Sequence, residues 1–119
     1  MSGWKLFVDD ERDPAFLVHL RAAGERVDAD GPWVVARTQS AAEALIRARG
    51  LPDVISFDHD YGPPECGDGH GLARWLVEQD LDGAVDLLQL RYQVHSRNPV
   101  GAANIRGVLD GYVAFKRRP

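Results

Sequence analysis

An α/β fold on a mainly parallel, four-stranded sheet is predicted by this sequence from three observations. Short, nearly continuous apolar runs alternate along the chain with longer segments whose apolar residues recur at helical spacing. The order is strand then helix, four times over, which implies parallel strands joined by right-handed crossovers. The last strand alone alternates strictly between apolar and polar residues, which marks a sheet edge.

The first strand is Leu6-Phe7-Val8. Asp13-Pro14 then predicts a helix start, with Asp as N-cap and Pro at the first helical position. Phe16, Leu17 and Leu20 form its apolar stripe and Gly24 its stop. Trp33-Val34-Val35-Ala36 is the second strand. Ser40-Ala41-Ala42-Glu43 has the capping-box spacing, Ala41, Leu45 and Ala48 follow on one face, and Gly50 ends that helix. Val54-Ile55-Ser56-Phe57 is the third strand and, like the first two, reads as buried on both faces. The longest irregular stretch, Tyr61 to Gly69, carries Gly62, Pro63, Pro64 and Gly67. A site-lining loop and a plain surface connection are both open for it. Leu72, Trp75 and Leu76 mark the third helix. Leu88, Leu90, Tyr92 and Val94, alternating with Gln89, Arg91 and Gln93, make the edge strand. Asn98-Pro99 opens the last helix, with Ile105, Val108, Leu109 and Tyr112 at helical spacing.

The 119 residues fit one domain spanning 1–119, without repeats or linkers. No apolar run approaches the roughly 20 residues of a membrane span. Met1-Ser2-Gly3-Trp4-Lys5 lacks the pattern of a signal peptide. Cys66 is the only cysteine, so no internal disulfide forms, which suits a reducing cytoplasm. A formal charge of -4 argues against a broad nucleic-acid-binding surface, and the basic end Lys116-Arg117-Arg118 reads as a solvated tail.

The polar residues gather behind the strands. Asp9, Asp10, Glu11 and Arg12 follow the first, Arg37 and Thr38 the second, Asp58, His59 and Asp60 the third, and His95, Ser96, Arg97 and Asn98 the fourth. In an open parallel sheet all these carboxyl ends lie along one edge, where ligands bind. Asp9, Asp10 and Asp58 would form an oxygen-rich pocket whose mutual repulsion a cation, a proton or an arginine must relieve, and Mg²⁺ suits it. Alternatively, Asp9 or Asp10 caps a turn while Asp58 pairs with Arg12 or Arg37. His59 and His95 fit a base and acid pair, or, with Asp58 and Asp60, ligands for a transition metal. His19 and His70 read as bystanders. Ser96, Asn98 and the N-terminus of the last helix form an anion cradle, and Gly101 would let a ligand approach the backbone. Arg12 and Arg37 suit a bidentate phosphate clamp or a structural ion pair.

Leu6-Phe7-Val8-Asp9-Asp10-Glu11-Arg12, Ile55-Ser56-Phe57-Asp58-His59-Asp60, and Val94-His95-Ser96-Arg97-Asn98-Pro99-Val100-Gly101 with Asn104 together resemble the cyclic-phosphate processing receiver-like domains, a divergent branch of the response-regulator receiver fold. The resemblance runs from Leu6 to about Leu109. It implies a flavodoxin-like, three-layer fold with strand order 2-1-3-4, and an acidic pocket of Asp9, Asp10 and Asp58 of the kind that holds Mg²⁺ in receivers; Asp60 is expected as a further ligand and Mn²⁺ as the other cation that suits the site. In receivers the third-strand aspartate, here Asp58, accepts phosphate. The His95-Ser96 and Asn98 motif departs from ordinary receivers. Ordinary receivers also have a fifth strand and a functional lysine, for which Lys116 lies too near the end, so a standard phosphorylation switch is not expected.

The resulting expectation is a phosphoesterase acting on a phosphate, cyclic phosphates included, of a nucleotide or RNA end. His95, Asp58 and His59 would be catalytic, and Arg12, Arg37, Ser96, Asn98, Gly101 and Asn104 would bind phosphate. On this reading, removing His95 costs rate far more than stability. The alternatives are a non-catalytic phosphate-sensing or phosphoacceptor module and an interaction protein with an acidic edge.

Overall fold

The computed structural model describes residues 3–118. Met1 and Ser2, part of the stretch read as no signal peptide, and Pro119 lie outside the described residues. Along the chain come β1 (Lys5–Val8), α1 (Ala15–Ala22), β2 (Val34–Ala36), α2 (Gln39–Arg49), β3 (Val54–Phe57), a 3₁₀ turn at Pro64–Cys66, α3 (Gly69–Leu81), a second 3₁₀ turn at Leu87–Gln89, β4 (Arg91–Val94) and α4 (Pro99–Lys116). The sheet order is β2-β1-β3-β4 and every pairing is parallel. This is the receiver-like, flavodoxin-like α/β arrangement that the sequence predicts. Among the described residues no helix is long and apolar enough to cross a membrane.

The two-residue period of the strands divides the interior into two unequal cores. Leu6, Val8, Ile55, Phe57 and Val94 point into the larger one, against Ala42 and Ile46 of α2, Leu72, Trp75 and Leu76 of α3, and Ile105 and Leu109 of α4. Phe7 points the other way, to Leu17 of α1, Ala29, Trp33 and Val35. Each fully buried large apolar side chain contributes about 1.5–3 kcal/mol. Phe7 of β1, Ser56 of β3 and Gln93 of β4 are in register, so they form one row across the smaller face. Part of that face is crossed by the α1–β2 connection, where the Asp28 backbone pairs with the Gln93 side chain and Lys5 Nζ lies 2.7 Å from Asp28 Oδ2.

Several local expectations are corrected. Asp13 does not cap α1, because its carboxylate lies 2.7 Å from Arg37 Nη2 and Pro14 takes the cap position without a side-chain bond. The Ser40–Glu43 box does not form. Thr38 caps α2 instead, accepting from the Ala41 N–H at 3.1 Å, while Glu43 accepts from Gln39 Nε2. That earlier start turns Ala42 and Ile46 inward and leaves Ala48 exposed. The edge strand is shorter than predicted, since Asp86 caps a 3₁₀ turn that buries Leu87 and exposes Leu88. The second strand is also an edge, and its Val34 and Val35 are only half-buried. Lys116 is no solvated tail residue: its ammonium reaches Asp80 at 2.8 Å and Asp86 at 2.9 Å, and Tyr112 donates to Asp80 at 2.7 Å. These contacts anchor the far end of α4 on α3.

Two glycine substitutions test this packing. A Cβ at Gly69 would stand 2.4 Å from the Asp58 carbonyl oxygen and 2.6 Å from Ile105 Cδ1, so Gly69→Ala is expected to cost about 1–3 kcal/mol by denaturant titration. A Cβ at Gly107 in α4 meets nothing within 4 Å, so Gly107→Ala is expected to stabilise by about 1 kcal/mol through helix propensity.

Candidate functional site

The carboxyl ends of β1, β3 and β4 open on one cleft of about 370 Å³. Asp9, Asp10, Glu11 and Arg12 line it after β1, Asp58 and Asp60 after β3, and Ser96, Arg97 and Asn98 after β4. The parallel sheet places these residues side by side although up to 89 positions separate them in sequence, from Asp9 to Asn98.

Asp9 is the most constrained of the acids, with no exposed surface. Its Oδ1 accepts the backbone N–H groups of Glu11 at 2.9 Å and Arg12 at 2.8 Å, and its Oδ2 lies 3.0 Å from His95 Nε2. Burial pushes the Asp9 carboxyl up, but the His95 bond and the two backbone bonds outweigh it and hold the group below the ordinary carboxylate range. Asp58 shifts the other way. Burial and the Asp9 charge raise it, against weaker opposition from the His59 backbone, His95 and Arg12. Arg12 stands over both acids, with Nη1 3.7 Å from Asp9 Oδ2 and 4.0 Å from Asp58 Oδ1, and its guanidinium stacks on Phe16 at 4.5 Å. Ligand atoms of Asp9, Asp58 and His95 all lie within 4.8 Å of one another, a donor set compatible with a metal ion.

Asp10 is half-exposed at the mouth. Asp60 is exposed, bridges backbone to Asp68, and has Oδ1 3.0 Å from His59 Nδ1. Ser96 Oγ accepts the Asn98 N–H at 3.0 Å, and Asn98 Oδ1 accepts the Gly101 N–H at 3.0 Å, the predicted N-cap of α4.

Five placements differ from expectation. Arg37 does not line the cleft: Nη1 donates to the carbonyls of Asp9 at 3.1 Å and Arg12 at 2.6 Å, so it splints the β1–α1 loop. The space above Gly101 holds the His59 ring, where a Cβ would clash with Cγ; the glycine admits a histidine rather than a ligand, and neither Gly101 nor His59 lines the cleft. Asn104 is exposed on α4 away from the cleft lining, one and a half turns beyond the cap. His95 is fully buried and sits behind Asp9, stacked on Phe7 with centroids 4.5 Å apart and planes within 5°, so it does not reach the cleft. His19, exposed on α1, and His70, half-buried on α3, also lie off the lining.

Ser56 and Gln93 are polar partners that the motif reading passed over. Ser56 Oγ lies 2.7 Å from His95 Nδ1, and Gln93 Nε2 donates to Ser56 Oγ at 3.1 Å. The signal was a serine interrupting the apolar run Val54-Ile55-Ser56-Phe57. Asp9, His95 and Ser56 have the connectivity of a nucleophilic triad, yet Ser56 has no exposed surface from which to attack. Lys5 and Lys116 are the two lysines, and neither lines the cleft.

Two outcomes follow from this geometry. Removing the His95 ring empties a buried, stacked site and strips partners from Asp9 and Ser56, so His95→Ala is expected to cost about 3–5 kcal/mol in equilibrium unfolding. The acids titrate oppositely. Stability from Asp9 is present above the ordinary carboxylate value of about 4 and is lost as pH falls through its lowered value. Asp58 favours the fold below that ordinary value and disfavours it as pH rises through its raised value. At neutral pH, without added cation, Asp58→Asn is therefore expected to raise the melting temperature by a few degrees.

The family model described as the cyclic-phosphate processing receiver domain matches residues 4–111. No curated protein and no solved structure gives a match. The match spans all four strands and the cleft, and this chain belongs to the cyclic-phosphate processing receiver domain family.

Proposed function

We propose that the protein is a phosphoesterase that processes a phosphate, cyclic phosphates included, on a nucleotide or RNA end, in the cytoplasm. The observation that carries this reading is the gathering of Asp9, Asp10, Asp58 and Asp60 with Arg12 in one open cleft against the first turn of α4. A divalent cation, Mg²⁺ or Mn²⁺, held by Asp9, Asp10 and Asp58 with Asp60 at the rim, would polarise the phosphate and offset the crowded carboxylates. Arg12, placed between Asp9 and Asp58, balances charge on the non-bridging oxygens. Ser96 and Asn98, which line the cleft after β4, would bind the same oxygens together with the amino-terminal end of α4. Opening a cyclic ester forms one bond from water oxygen to phosphorus and breaks one ester bond. The water proton passes to a base, and the departing alkoxide takes one up. Asp60 lines the cleft and is suited to that exchange, with His59 off the lining and hydrogen-bonded to it. His95 acts only through Asp9.

A second reading is a phosphate-sensing or phosphoacceptor module, in which an Asp58 oxygen bonds to phosphorus as the donor's ester bond breaks. It is favoured by the position of Asp58 at the end of β3, facing the cleft while 7% exposed. The absence of a lysine from the cleft lining counts against an ordinary receiver switch.

The test is incubation with nucleoside 2′,3′-cyclic phosphates, with and without Mg²⁺ or Mn²⁺. Cation-dependent turnover, reduced about 100-fold or more in Asp58→Asn and in Arg12→Ala, is the expected result. Acylphosphate formed from a small phosphodonor, without turnover of any phosphoester, would overturn the enzyme and leave the acceptor module.

A further inference from the structure

We propose that Gln93 and Ser56 are positioning residues that fix the His95 proton on Nε2, facing Asp9, and so withhold this imidazole from a cation in the cleft. The consequence for cation choice rests on the phosphoesterase reading above; the proton assignment does not.

The assignment follows from the polarity of a hydrogen-bond chain that starts on main chain. The Asp28 N–H can only donate, and it meets Gln93 Oε1 at 2.7 Å. The Asp28 carbonyl can only accept, and it meets Gln93 Nε2 at 2.9 Å. These two contacts orient the amide, so its NH₂ group is what faces Ser56 Oγ at 3.1 Å. Ser56 is fully buried, and among the described residues the one other polar atom that its hydroxyl meets is His95 Nδ1, at 2.7 Å. Since Gln93 donates to the hydroxyl oxygen, the hydroxyl proton has Nδ1 as its acceptor. Nδ1 is therefore unprotonated, and the ring proton resides on Nε2, 3.0 Å from Asp9 Oδ2.

The opposite tautomer fails at two points. An Nδ1–H would meet an oxygen that already accepts from Gln93, leaving the buried hydroxyl proton without an acceptor. It would also turn the Nε2 lone pair towards the Asp9 carboxylate. Stacking on Phe7 prevents the ring from rotating away from either partner.

Ligation by His95 would need this disfavoured arrangement, because an imidazole binds metal through a bare nitrogen. The relay thus converts the mixed cluster of Asp9, Asp58 and His95 into an oxygen-only donor set, with His95 orienting Asp9 from behind. Such a set suits a hard cation such as Mg²⁺ or Mn²⁺ over Zn²⁺.

The test is imidazole proton–nitrogen correlation NMR on the full chain labelled with nitrogen-15, with His95 assigned through its backbone, followed by separate titrations with Mg²⁺, Mn²⁺ and Zn²⁺. The expected spectrum has a bare Nδ1 and a protonated Nε2, unchanged on adding Mg²⁺. Gln93→Glu replaces the donor with an acceptor: the new carboxylate accepts the Ser56 hydroxyl, Ser56 accepts from Nδ1, and the ring carries a proton on Nδ1 as well as the one that Nε2 keeps towards Asp9. A proton on Nδ1 in the wild type, or a folded Gln93→Glu protein whose Nδ1 stays bare, would overturn the proposal. If that variant does not fold, the wild-type spectrum decides. Loss of the Nε2 proton when Mg²⁺ binds would sink the relay and leave the cation site. An intact Nε2–H with no binding of Mg²⁺ or Mn²⁺ would sink the cation site and leave the relay.

Discussion

Two carboxylates held close together in a mostly buried place are the constraint around which this end of the molecule is arranged. Asp9 and Asp58 follow paired strands, so backbone geometry alone brings them together. The fold resolves their repulsion unequally. Asp9 receives two backbone N–H bonds and the His95 ring and stays ionised, whereas Asp58 carries the residual cost as a raised proton affinity. Arg12 offsets some of that cost from the solvent side. Arg37, by bonding to the Asp9 and Arg12 carbonyls, keeps the loop in the shape that aims the Glu11 and Arg12 N–H groups at the Asp9 carboxylate. Crowded carboxylates of this kind are compatible with a bound metal ion, which would offset their repulsion.

The smaller face of the sheet supplies the other half of the arrangement. It carries α1 and the α1–β2 connection, while α2, α3 and α4 cover the larger face. Segment 23–33 crosses to the β4 edge and binds Gln93 through the Asp28 backbone, with Lys5 pinning the Asp28 side chain. Its main-chain polarity is thereby coupled through a row of side chains to the acid at the floor of the cleft. At the other end of α4, Lys116 and Tyr112 tie the helix to Asp80, which steadies the helix whose first turn walls the site.

Much of this was legible in the sequence because it depends on local chemistry and strand order. The apolar runs gave three strands to within a residue, the alternation around Tyr92 marked the edge, and Asn98-Pro99 located the start of α4. Errors arose where long-range contacts compete with local signals. Asp13 is a good cap in isolation, but Arg37 from another loop claims its carboxylate. Ser40 and Glu43 have the right spacing, but Thr38 reaches the helix first because β2 ends just before it. Gly101 looked like room for a ligand, and the occupant is a histidine from β3's loop.

By itself, the sequence determined the βα order, the parallel sheet and the convergence of aspartates at one edge, since periodicity and the handedness of crossovers leave few other arrangements. It did not determine which polar side chains face solvent. His95 and Asp9 follow strands in the same manner as Ser96 and Asp10, and one-residue steps separate a buried group from one on the cleft wall. Only the packing of Phe7 against the imidazole, and the row of Ser56 and Gln93 beside it, decided that His95 lies behind the site. Burial and hydrogen-bond direction are properties of neighbours brought from across the sheet, and a linear pattern does not carry them.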